Sequence, residues 1–198
     1  MYHTLHYDIV YDCSNFANLK MLRLLVWDDA DGGAREEDSK SVTGWLMQIN
    51  DCPIYAVSKV QRRPAVSTAE AECNGVETVC KEVEWVKGLL GELGFQVLTP
   101  IPIWEDNYAA IRLSEDPIFP NRTKYYRISQ AYVRWCRNTG LIKVQYLEST
   151  QHPCDLLNKL VTKPSLKQHL PALMGEQAGK IQRVGKCFMA RCKQMCRR

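Results

Sequence analysis

The chain has 198 residues, 45% of them hydrophobic and 24% charged, and a net charge of +4; this suits one folded domain with appendages and excludes a mainly disordered or fibrous chain. No apolar run approaches the roughly 18–20 residues that span a bilayer, and the first twenty residues carry Asp8 and Asp12, where a secretory signal is apolar and a transit peptide is poor in acids. The charge is uneven: residues 176–198 hold seven Lys/Arg against the single acid Glu176, so that stretch carries +6 and the remainder sums to −2.

In chain order, an N-terminal lead-in over 1–21 precedes a predicted strand at 22–27 (Leu-Arg-Leu-Leu-Val-Trp), stopped by the turn-forming run Asp28-Asp29-Ala30-Asp31-Gly32-Gly33. Two further β-rich segments at about 41–49 and 53–60 flank Asn50-Asp51, a pair suited to a tight hairpin. Residues 69–93 then carry Val76, Val79, Val83, Val86, Leu90 and Leu93 at steps of three and four, which predicts a long helix with one apolar stripe. Ser67 with Glu70 three places on forms a capping box at its start, and Gly94 ends it. A strand over 101–105, a helix over about 107–114, a Pro-containing loop at 115–125, a helix over 127–138 and a strand over 141–147 follow. Two helices close the domain, one opened by Pro153 and one over about 165–174.

Short turns between the first three strands predict an antiparallel meander, and helices between the later ones require parallel crossovers. The expected fold is α/β, a mixed five-stranded sheet flanked by helices, over residues 22–175. Residues 176–198 form a basic, Cys-containing tail. The nine cysteines are odd in number, scattered and without a C-x-x-C pair, so they read as reduced thiols in the cytoplasm or nucleus.

Four acids fall at element ends: Asp29 past the first strand, Glu72 in the first turn of the long helix, Asp106 past the fourth strand, and Asp155 in the first turn of the helix after the fifth. Singly, Asp29 reads as a turn residue, Asp106 as a helix cap and Asp155 as a partner of a helix dipole. Glu72 differs, because extending the stripe back four places from Val76 lands on it. A carboxylate on an apolar face needs a cation or a strong donor beside it. Glu70 lies about 160° around the helix and already has a capping role. Converging carboxylates suit divalent ions that take oxygen ligands, and two such ions roughly 4 Å apart activate water and stabilise a leaving oxygen in phosphodiester hydrolysis.

The segments Asp28-Asp29-Ala30-Asp31, Ser67-Thr68-Ala69-Glu70-Ala71-Glu72, Trp104-Glu105-Asp106-Asn107, Arg122-Thr123-Lys124 and Cys154-Asp155-Leu156-Leu157, in that order from about Leu22 to Met174, resemble the ribonuclease H domain of copia-type retrotransposon polyproteins. The resemblance implies the ribonuclease H fold and endonucleolytic cleavage of the RNA strand of RNA–DNA hybrids. It implies two Mg²⁺ ions, with Mn²⁺ as a substitute, held by Asp29, Glu72, Asp106 and Asp155. It also implies recognition of RNA through 2′-hydroxyls in the minor groove. Gly32, Cys73 and Tyr125 depart from the family pattern, which has Trp, an aromatic residue and His at these places; none of them is an acid of the site.

Expected nucleic-acid contacts are Asn107, Arg122 and Lys124, joined by Lys180, Arg183, Lys186, Arg191 and Lys193 of the tail through phosphate attraction. A solvated tail is the alternative, and Cys187, Cys192 and Cys196 make a poor match to a zinc site. His152 is expected as a loop residue at a helix start, with proton transfer as its secondary reading. The partner is an RNA–DNA hybrid or RNA, with no membrane. The chain reads as a polyprotein fragment or as a domain retained by a host. The competing reading is a domesticated, catalytically silent domain serving as a structural or RNA-binding subunit of a larger protein or ribonucleoprotein assembly.

Overall fold

A computed structural model describes residues 21–32, 38–115 and 127–175. Residues 1–20 of the lead-in, Arg122, Lys124 and the tail residues Lys180, Arg183, Lys186, Arg191 and Lys193 lie outside the described residues, and Met21, the last residue of the lead-in, belongs to the first strand. The elements are β1 (Met21–Leu22), β2 (Leu24–Ala30), β3 (Val42–Ile49), β4 (Cys52–Val60), α1 (Thr68–Glu92), β5 (Gln96–Val97), β6 (Ile101–Glu105), α2 (Tyr108–Glu115), α3 (Arg127–Asn138), β7 (Ile142–Tyr146), α4 (Asp155–Asn158) and α5 (Lys163–Met174), with a 3-10 turn at Ser149–Gln151.

The expected mixed sheet is present, with strand order β4-β3-β2-β6-β7. β2, β3 and β4 pair antiparallel, and β6 lies parallel to both β2 and β7. The β3–β4 hairpin turns on Asn50 (φ 48°) and Asp51 (φ 68°), two successive left-handed residues as a two-residue turn of the right twist requires. Arg23 closes the same end, its guanidinium 2.8 Å from Asp51 and its amide donating to Asn50 Oδ1. A parallel pair, β1 with β5, went unpredicted; two residues per strand leave no period to read.

Val76, Val79, Val83, Val86 and Leu90 of α1 are buried and form one core with Leu24, Val26, Trp45, Met47, Ile101, Ile103 and Ile142 of the sheet. α3 adds Val133 and Cys136 to it. α1 starts as the capping box predicts: Ser67 Oγ accepts from Glu70 N at 3.1 Å, and Glu70 Oε2 accepts from Val66 N at 2.9 Å. The difference from the expected elements that matters most is at the end of β2. The strand runs on through Asp28 and Asp29 to Ala30, because Trp45, Gly44 and Thr43 of β3 continue the ladder beside them.

Candidate metal centre

Successive residues of a strand point to opposite faces, so the extension of β2 separates its two aspartates. Val26, Asp28 and Ala30 share the face of α1, whereas Asp29 lies opposite Gly44 in register. A Cβ on Gly44 would sit 2.7 Å from Leu157 Cβ and 3.2 Å from the Cys154 carbonyl oxygen. The absent side chain lets the segment around α4 lie against the sheet, and that approach brings Asn158 and Lys159 to Asp29. β6 ends at Glu105, with Asp106 just past it, and Glu72 comes from the first turns of α1.

Carboxylate oxygens of Asp29, Glu72 and Asp106 lie within 4.8 Å of one another. Glu72 Oε2 accepts from Ala30 N at 2.8 Å. Asp29 Oδ2 accepts from Asn158 Nδ2 at 2.7 Å and lies 2.8 Å from Lys159 Nζ. Asp106 Oδ2 accepts from Ser149 Oγ at 2.6 Å. Burial, then the charges of Glu105 and Asp29, push the Glu72 carboxyl up to about 10, against the lowering effect of the Ala30 amide. Gathered carboxylates disfavour one another's charge, and a divalent cation relieves that repulsion.

Asp155 does not join this trio among the described residues. It opens α4, and its Oδ1 lies 2.7 Å from Lys159 Nζ, so it is tied to Asp29 through a shared ammonium. Burial works against the charge of Lys159, yet its bonds to Asp155 and Asp29 hold its ammonium above the ordinary lysine range. The sequence thus named four acids; three are drawn together, and the fourth is joined to them by a lysine it did not single out. The spacing of four residues between Asp155 and Lys159 on a helical segment was the readable signal.

Two further acids lie beneath the cluster. Asp28 is fully buried, and among the described residues neither carboxylate oxygen has a hydrogen-bond partner. Glu105 is equally buried; Oε1 accepts from Asn107 N at 2.9 Å, while Oε2 has no partner among the described residues. Burial above all, then neighbouring carboxylates, chiefly Glu72 for Asp28 and Asp28 for Glu105, raise both well above the carboxylate range. Strand alternation could have found them, since Val26 and Asp28 share one face, as do Ile103 and Glu105.

Asn107 Oδ1 accepts from Ala109 N and Ala110 N at 2.9 and 3.2 Å, capping α2. His152 is enclosed, and its Nε2 donates to the Trp104 carbonyl at 3.2 Å. It anchors the entry to α4 against β6, which favours the loop-residue reading over a mobile proton carrier. Cys73, one of the three departures, packs with Ala110 and Leu113.

No protein-family model matches the chain. It is 30% identical over 138 residues, 70% of its length, to the retrovirus-related Pol polyprotein from transposon RE2 of Arabidopsis thaliana. To that from transposon TNT 1-94 of Nicotiana tabacum it is 31% identical over 135 residues, 68% of its length. Each match spans 10% of the polyprotein, so the chain corresponds to about a tenth of the length of these relatives. Among solved structures, it is similar to LC11-RNase H1, isolated from compost by a metagenomic approach, with a TM-score of 0.52 and 11% identity over 69% of this chain and 92% of the other. The crystal structure of LC11-RNase H1 in complex with RNA/DNA hybrid gives a TM-score of 0.53 and 10% identity over 69% and 94%. At that identity the likeness speaks for the fold alone.

Proposed function

This chain is a ribonuclease H-like domain related to the Pol polyproteins of plant transposons, and from that premise we propose that it hydrolyses the RNA strand of RNA–DNA hybrids with two Mg²⁺ ions as cofactor. The observation that carries this reading is the meeting of Asp29, Glu72 and Asp106 within 4.8 Å. They form an all-oxygen donor set of the kind hard divalent cations take, with Mn²⁺ as a fitting substitute. Asp29, Glu72 and Asp106 would hold the ions, with Asp155 completing the set on the side of α4.

When bound, the ions supply an activated water and neutralise charge on the leaving oxygen. The protein's own part is to aim the ligands. The Ala30 amide fixes Glu72, Asn158 fixes Asp29, and Ser149 fixes Asp106. β2 and β6 lie side by side in the sheet, so the acids at their ends stand on rigid elements. Asn107, just past Asp106, caps α2 through its Oδ1, and in this reading it would also contact the RNA strand.

Purified protein incubated with a labelled hybrid should release RNA fragments when Mg²⁺ or Mn²⁺ is added and none with chelator. Binding of the hybrid without cleavage in either metal would favour the silent, RNA-binding reading. Neither binding nor cleavage would end both.

A further inference from the structure

The acids of the site differ in what neutralises them. Glu72 and Asp106 take their hydrogen bonds from a backbone amide and a hydroxyl, both uncharged. Asp29 and Asp155 are bridged by a full positive charge: Lys159 Nζ lies 2.8 Å from Asp29 Oδ2 and 2.7 Å from Asp155 Oδ1. The aspartate side chain is 1% exposed, whereas that of Lys159 is 38% exposed, so the lysine enters from the rim on a flexible stem. Asn158 Nδ2 donates to the same Asp29 oxygen at 2.7 Å and also to the Asp29 carbonyl at 3.0 Å. Among the described residues no hydrogen bond or ion pair falls on Asp29 Oδ1. Asp29 Oδ2 is therefore committed to Lys159 and Asn158, while Oδ1 is bound by neither.

An ammonium and a divalent cation are alternative occupants of one pair of carboxylate oxygens, because both need the same lone pairs. We propose that Lys159 is a tethered cation standing in the position of a second ion between Asp29 and Asp155. One divalent ion then binds tightly on Asp29, Glu72 and Asp106, and a second binds only by displacing Lys159. The proposal rests on the metal-dependent reading above and adds to it an order of filling that the four acids by themselves would not impose. Lysine is suited to this part, since its ammonium is a compact charge on a four-carbon stem that moves without disturbing the sheet.

The test is a Mn²⁺ titration of the full chain without nucleic acid, following the electron paramagnetic resonance signal of free Mn²⁺. The parent should show one tight ion and a second bound at least tenfold more weakly. Lys159→Met should tighten the second ion at least tenfold, Lys159→Arg should keep it weak, and Asp155→Asn should lose the weak ion while keeping the tight one. Two equally tight ions in the parent, or an unchanged weak ion in Lys159→Met, would overturn the role of Lys159 and leave the metal centre standing. No bound Mn²⁺ in any of the four proteins would remove the metal centre itself and this proposal with it.

Discussion

Glu70 and Glu72 stand two residues apart on α1, both buried, and their surroundings give them opposite work. Glu70 accepts from Val66 N, and its Oε1 lies 3.6 Å from the Arg63 guanidinium, so its charge is answered within the protein. Glu72 faces other acids, and its carboxyl is pushed up to about 10 from an ordinary value of 4.5. A folded pKa raised above the unfolded one means that the folded state binds the proton more tightly. The contribution is therefore fully present below about 4.5 and is lost as pH rises through about 10. Without metal, the melting temperature should fall as pH increases across that window, and Glu72→Gln should flatten the fall and raise stability near pH 8 by on the order of 1 kcal/mol. The same substitution should abolish protection by Mg²⁺ and lower hybrid cleavage at least about a hundredfold, as loss of a group that stabilises the transition state does. Glu70→Gln keeps a capping acceptor and should leave cleavage near the parent's, at a cost of about 1 kcal/mol or less. Melting curves from pH 5 to 9 and cleavage rates for both variants check this; equal loss of cleavage from the two would refute the division of roles.

At the scale of elements, whatever repeats was legible and whatever depends on a neighbour was not. The stripe from Val76 to Leu93 foretold α1 and its buried face as far as Leu90, while Leu93 is the C-cap and is exposed; carried back four places the stripe foretold Glu72. The run Asp28-Asp29-Ala30-Asp31 read as a turn because aspartates favour turns, yet β3 offers a ladder that extends β2 through them. With the strand so extended, Asp28 lands beneath α1 against Gly75, where a Cβ would lie 2.5 Å from Asp28 Oδ2. No spacing rule links positions 28 and 75; their fit belongs to the packing of α1 on β2. Gly75→Ala should therefore destabilise the protein by about 1–3 kcal/mol through overpacking, despite the better helix propensity of alanine. In an Asp28→Ser background, where the obstructing carboxylate is gone, the same change should cost much less. A double-mutant cycle by urea denaturation reads the coupling directly, and additive effects of the two changes would show that Asp28 and Gly75 do not constrain each other.

Across the whole molecule, the parallel placement of β6 beside β2 carries Asp106 to Asp29, and α1 crossing the sheet supplies Glu72, so the trio is a product of topology that no single segment contains. Charge is arranged on the same scale. The site gathers acids in a body whose net charge is −2, while residues 176–198 carry +6. Under the proposed function, a polyanionic hybrid would be repelled by the acids of the centre, and phosphate contacts of a basic tail would offset that repulsion. Each phosphate neutralised by a Lys or Arg releases condensed counterions, so the logarithm of the binding constant falls with the logarithm of salt by about 0.9 per contact on a duplex. If the tail makes such contacts, deleting 176–198 should weaken hybrid binding at low salt and make the salt slope shallower by several units, with the loss of affinity shrinking as salt rises. Metal-dependent cleavage at saturating hybrid should change little, because the deletion leaves Asp29, Glu72 and Asp106 in place. Binding isotherms of full-length and shortened chains between 50 and 300 mM salt, about a sixfold range chosen to resolve the slope, make the measurement. An unchanged slope would assign the tail to a linker or a protein contact and leave hybrid binding to residues such as Asn107 beside the centre.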